Sequence, residues 1–146
     1  MSAIEDVKSA VEGALAKVGG LGGGLGGLPP AKLLGGARVA IGAAGILAPG
    51  VTAFVTGLKP GRNPAAPYLV RLNGASNAAI GVAMLQGPAA SQPLLVQMGL
   101  ATDVLGLLAT KRAKGKGSIG ARAFLFGAVT ELALAGLGGA VLSGKV

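Results

Sequence analysis

Cysteine, histidine and tryptophan are absent from this chain of 146 residues, and one tyrosine and three phenylalanines are its only aromatic side chains. Without cysteine there are no disulfides and no thiol nucleophile, and the redox compartment leaves no trace in the sequence. Without histidine as well, soft-metal sites and the usual axial ligands of haem are excluded, so no metal centre and no cofactor is expected. Charge is scarce too, at 12% of residues, and only five of the charged side chains are acidic. No catalytic residue is nominated, because no nucleophile and base stand at a recognisable spacing.

What is abundant is apolar surface. Hydrophobic residues make up 51% of the chain and its mean hydropathy is +0.68, too greasy for an ordinary soluble domain. The expected class is all-α and integral to a membrane. About 20 apolar residues at ~1.5 Å each cross a hydrocarbon core of ~30 Å, so four spans and an N-terminal arm use up the 146 residues and leave no length for a soluble catalytic domain.

Taken in order, residues 1–18 form one unit. Ile4, Val7, Val11, Leu15 and Val18 recur at spacings of three and four, which predicts an amphipathic helix, with Ser2 ahead of Glu5 and Asp6 as its capping pattern. The plain reading is a helix lying on the membrane surface or the bundle; the sharper one is a docking helix for a partner. Residues 19–32 are a linker: Gly19 to Gly27 holds seven glycines and two leucines, and Pro29 and Pro30 stiffen the approach to the first span. No Lys-Ser/Thr follows the glycines, so they are not read as a phosphate loop.

Residues 33–146 are expected to form a four-helix membrane bundle, with spans at Leu33 to Leu58, Ala65 to Leu85, Leu94 to Thr110 and Ile119 to Leu142. Pro49, followed by Gly50, should kink or end the first helix. Lys59, Arg62, Lys111, Arg112, Lys114 and Lys116 lie in the first and third connections, while the second carries no charge. The positive-inside rule then places the first and third connections in the cytoplasm and both termini outside, in the inner (plasma) membrane. Anionic lipid at the basic loops explains the net charge of +8 better than nucleic acid does, since no aromatic stacking platform accompanies the cations.

Every span carries a residue that hydropathy disfavours: Arg38; Arg71, Asn73 and Asn77; Asp103; Glu131. A charge near mid-bilayer costs ~2.5 to 3.5 kcal/mol on insertion scales, so such groups turn inward and pair. Depth along each span predicts two clusters, Arg71 with Asp103 and Arg38 with Asn77 and Glu131, while Arg122 should snorkel to the cytoplasmic surface. Phase agrees, because Arg38 shares a face with Gly42, Gly45 and Pro49, Arg71 with Gly74, Ala78 and Gly81, Asp103 with Gly99 and Gly106, and Glu131 with Gly127, Ala135 and Gly138. On the plainer reading these ion pairs only lock the bundle; on the functional one a carboxylate among them binds a cation, proton or headgroup.

The Arg38-x-x-x-Gly42 pattern running into Leu47-Ala48-Pro49, followed by Tyr68-Leu69-x-Arg71-x-x-Gly74 and Gly81, resembles small four-helix bacterial membrane proteins near the DoxX and DoxD-like families. The resemblance covers roughly residues 34–142. It implies a compact four-helix bundle, and some relatives are thought to be accessory subunits of membrane-linked oxidoreductases. Those relatives often carry a Gly-x-Arg-Asp/Glu pattern, where this chain has Gly74-Ala75-Ser76-Asn77.

Three functions follow as expectations. The first is a non-catalytic accessory or assembly subunit with a membrane-protein partner, or a homo-oligomer. The second is a small transporter or channel coupled through Glu131 or Asp103. The third is a lipid- or quinone-binding redox helper, for which Phe54, Tyr68, Phe124 and Phe126 are a thin aromatic supply.

Overall fold

A computed structural model of the protein describes residues 29–145. The predicted amphipathic helix at 1–18 and most of the glycine-rich linker lie outside the described residues. Within them the chain is helical, with no strand. Helix α1 runs Pro30–Leu47, α2 Pro49–Val55, α3 Ala66–Gln86, α4 Gln92–Gly115 and α5 Ala121–Leu142, with a 3-10 turn at Ala89–Ser91 between α3 and α4. Three helical stretches, Pro30–Leu47, Ala89–Gly115 and Ala121–Leu142, are long and apolar enough to cross a membrane. Helix α3 has the length but not the hydropathy, because Arg71, Asn73 and Asn77 all fall within it.

The expected break at Pro49 occurs. Proline has no N–H to donate to the preceding turn, so α1 ends at Leu47 and Ala48 leaves the helical region at φ −130°, ψ 54°. Thr52 ties α2 to α1 across the junction by donating its hydroxyl to Ala44 O at 2.9 Å, an oxygen that also accepts from Ala48 N. The fourth helix is longer than its apolar pattern: α4 continues through Lys111, Arg112 and Lys114, cations suited to the negative end of the helix dipole.

The long helices pack as two antiparallel pairs. Between α1 and α3 the backbones nearly touch: Gly42 of α1 faces Gly74 and Ala78, Gly45 faces Val70 and Gly74, and Gly35 faces Gly81 and Met84. The α4 and α5 pair is looser, with Gly127 against Thr110 and Gly138 against Val96 and Leu100. Small residues permit this approach, as in helix pairs inside lipid.

Along the long axis the interior is layered. At the end that holds the α3–α4 connection, Ala31, Leu34, Met84, Val96 and Leu134 form an apolar core. Gln92 seals that end by donating from Nε2 to Met84 O and Gly87 O at 2.9 and 3.0 Å. Polar side chains cross the middle. The other end, between the α2–α3 and α4–α5 connections, is hollow. Among the described residues twenty large apolar side chains are exposed, Leu47, Phe54, Leu105 and Val129 among them, an outer surface compatible with lipid.

Candidate functional site

Arg38 is completely buried at the centre of the interior. It reaches that position because α1 places it one turn before Gly42, on the face pressed against α3 and α4. Its Nη2 donates to Asp103 Oδ2 at 2.5 Å, joining the first helix pair to the second, and both side chains are at most 2% exposed. Its Nη1 donates to Asn77 Oδ1 at 2.9 Å. Its Nε has no partner and lies against Gly99, where an added Cβ would stand 3.0 Å away. Glycine at 99 is therefore the space that admits the guanidinium.

This arrangement corrects the expected pairing. Asp103 pairs with Arg38 and not with Arg71, which lies exposed on α3. At about 100° per residue, Arg71 stands well round the helix from the buried line of Gly74, Asn77, Gly81 and Met84. Equal depth alone does not make a pair; the two side chains also need facing phases. Instead of two clusters there is one, formed by Arg38, Asn77, Asp103 and Glu131. Arg122, exposed in the first turn of α5, does reach the molecular end, where its aliphatic stem packs on Gly57.

Glu131 enters from α5. An added Cβ at Gly106 would lie 2.5 Å from Glu131 Oε1, so the carboxyl occupies the groove one turn beyond Asp103. The Asp103 and Glu131 carboxyls are within hydrogen-bonding reach of one another, and Arg38 acts on both. Of the two carboxyls, that of Asp103 holds the guanidinium by ion pair, and that of Glu131 stands beside it without one. On the other flank, Asn77 donates from Nδ2 to Asn73 Oδ1 at 3.1 Å and to Asn73 O at 3.2 Å, which fixes its Oδ1 toward Arg38. The polar line runs from Asn73 through Asn77, Arg38 and Asp103 to Glu131.

Both ends of that line meet the same cavity. A space of about 450 Å³ lies between the two helix pairs, with a lining that is mostly apolar, including Ile41, Leu58, Leu69 and Phe126. Asn73 and Glu131 border it, with Thr110 and Thr130 beside them. Leu69, Asn73 and Phe126 are exposed as well as lining, so the cavity opens sideways between the pairs. Its size suits a small molecule. Among the described residues no group of three metal-ligating side chains exists.

Sequence reasoning did not assign a role to Asn73 or to the cavity. The four-residue step from Asn73 to Asn77 was available as a signal, since residues so spaced are neighbours on a helix. The cavity depends on how far apart the two pairs stand, which no local pattern encodes. Compared with family models, with proteins of described function and with solved structures, the chain matches none.

Proposed function

We propose that the chain is a multi-pass membrane protein in which α3 completes a four-helix bundle with α1, α4 and α5, and that it is a small carrier whose cavity takes an apolar molecule bearing one positive charge. The observation that carries this reading is the placement of Glu131: its carboxyl borders an apolar cavity while Arg38, the only buried cation among the described residues, is already held by Asp103 and Asn77. One further positive charge, a cation or a proton, balances the set. Asn73 supplies a second polar contact across the same space.

Alternation between cation and proton at one carboxyl is the simplest coupling that such a site supports. In proteoliposomes holding the full chain, a pH gradient should drive uptake of a lipophilic cation such as tetraphenylphosphonium. Glu131→Gln should bring uptake to the level of empty liposomes, and Asn73→Ala should weaken it. Uptake unaltered by Glu131→Gln would overturn the assignment. A companion protein that stays with the chain in stoichiometric amount through detergent extraction would support the assembly-subunit reading instead, with the apolar outer faces of α4 and α5 as its seat.

The basic connections support an orientation with both inside the cell and the termini outside, in the plasma membrane. A C-terminal reporter active only in the cytoplasm should therefore stay dark; activity from it would reverse the orientation.

A further inference from the structure

Among the described residues, the end of the molecule that carries the α2–α3 and α4–α5 connections is charged in one sense only. Lys59, Arg62, Lys111, Arg112, Lys114, Lys116 and Arg122 all lie there. The described residues contain two acids, Asp103 and Glu131, and both are in the interior, so none of the seven cations has an ion-pair partner among them. Among the described residues, the opposite end has only Lys32 and Lys145.

These cations are not spread evenly over a smooth surface. Between the two connections is a second cavity, about 390 Å³, with Lys59, Arg62, Asn63 and Ser118 on its polar side. Leu58 and Ile119 line it too, and the same two residues line the larger cavity beneath, so the two spaces share an apolar wall. The polar cavity therefore sits where a charged surface meets an apolar interior. It offers two cations and two neutral hydrogen-bonding side chains at the end of the apolar helices.

We propose that this second cavity is a specific seat for the phosphate headgroup of an anionic phospholipid. Lys59 and Arg62 pair with the phosphate, and Asn63 and Ser118 donate to its oxygens or to the headgroup beyond. The acyl chains lie along the exposed apolar flank of the helices. A lipid fits better than a free anion because the cavity opens at the rim of an apolar surface, where a headgroup is already held at high local concentration. This inference stands on the membrane reading above, and not on the ligand assigned to Glu131.

The test is native mass spectrometry of the full chain, purified in mild detergent and offered phosphatidylglycerol or phosphatidylcholine. The wild-type protein should retain phosphatidylglycerol and release phosphatidylcholine. Lys59→Gln with Arg62→Gln should lower phosphatidylglycerol retention roughly tenfold or more, since each interfacial cation contributes to lipid binding. Lys114→Gln with Lys116→Gln removes the same charge from the same end but not from the cavity, and should leave retention intact. Equal loss in both double variants would reduce the effect to diffuse attraction, and equal retention of the two lipids would remove the headgroup seat. Displacement of the lipid by millimolar inorganic phosphate would assign the cavity to a free anion. A protein that purifies without detergent would instead refute the membrane reading itself.

Discussion

Replacing Arg38 by methionine should destabilise the protein by about 3–5 kcal/mol, the cost of stranding the partner of a buried charge pair. Asp103, at 2% side-chain exposure, would lose its only ion-pair partner among the described residues. Asn77 would lose the guanidinium that its Oδ1 accepts from, leaving a buried acceptor at 6% exposure without that donor. The double variant Arg38→Met with Asp103→Leu removes both members of the pair and should melt at a higher temperature than Arg38→Met alone. Arg71→Met should be neutral or mildly stabilising, because Arg71 is exposed on α3 and has no described partner. Thermal unfolding in detergent micelles, followed by circular dichroism, ranks the three. If Arg38→Met and the double variant melt together, the ion pair does not hold the two helix pairs; if Arg71→Met is the worst of the three, the pairing is misassigned.

The contrast between Arg38 and Arg71 also shows what the sequence discloses. Both are arginines in apolar runs with glycines at helical spacing, and both look like inward charges. What separates them is the angle between each arginine and the line of small residues that packs. In α1 the arginine lies on that line with Gly42 and Gly45; in α3 the line passes through Asn77, and Arg71 falls beside it. Helix existence, the break at Pro49 and the membership of Arg38, Asn77, Asp103 and Glu131 in a polar interior are legible, because hydropathy, proline geometry and burial cost act locally. Which acid meets which base is a tertiary property. It follows from α1 running parallel to α4, which brings Leu34 near Val96 and Arg38 beside Asp103. The helical extension of α4 through its cations was hidden for a different reason: hydropathy marks where a segment leaves an apolar environment, not where its backbone hydrogen bonds stop.

A methyl group added at Gly42 should cost about 1–3 kcal/mol, and a valine there should prevent α1 and α3 from packing at all. The Cβ would stand 2.6 Å from Ala78 N and 2.7 Å from Gly74 O, and both are backbone atoms of α3 that no rotamer change can move. The helices would have to separate along their closest line of contact. Arg38 lies one turn from Gly42 on the same face, and its bond to Asn77 crosses that line, so separation should also loosen the polar cluster. Gly136→Ala is the matched control: no atom lies within 4 Å of its added Cβ, and alanine should add up to about 1 kcal/mol through helix propensity. Melting temperatures of Gly42→Ala, Gly42→Val and Gly136→Ala in one detergent decide the matter, and a Gly42→Ala protein as stable as Gly136→Ala would show that the backbones do not touch. The expected order follows from how the interior is built. The glycines of α1 and α3 bring two backbones close enough for a single guanidinium to reach an asparagine on one side and an aspartate on the other, so close packing and charge pairing should fail together.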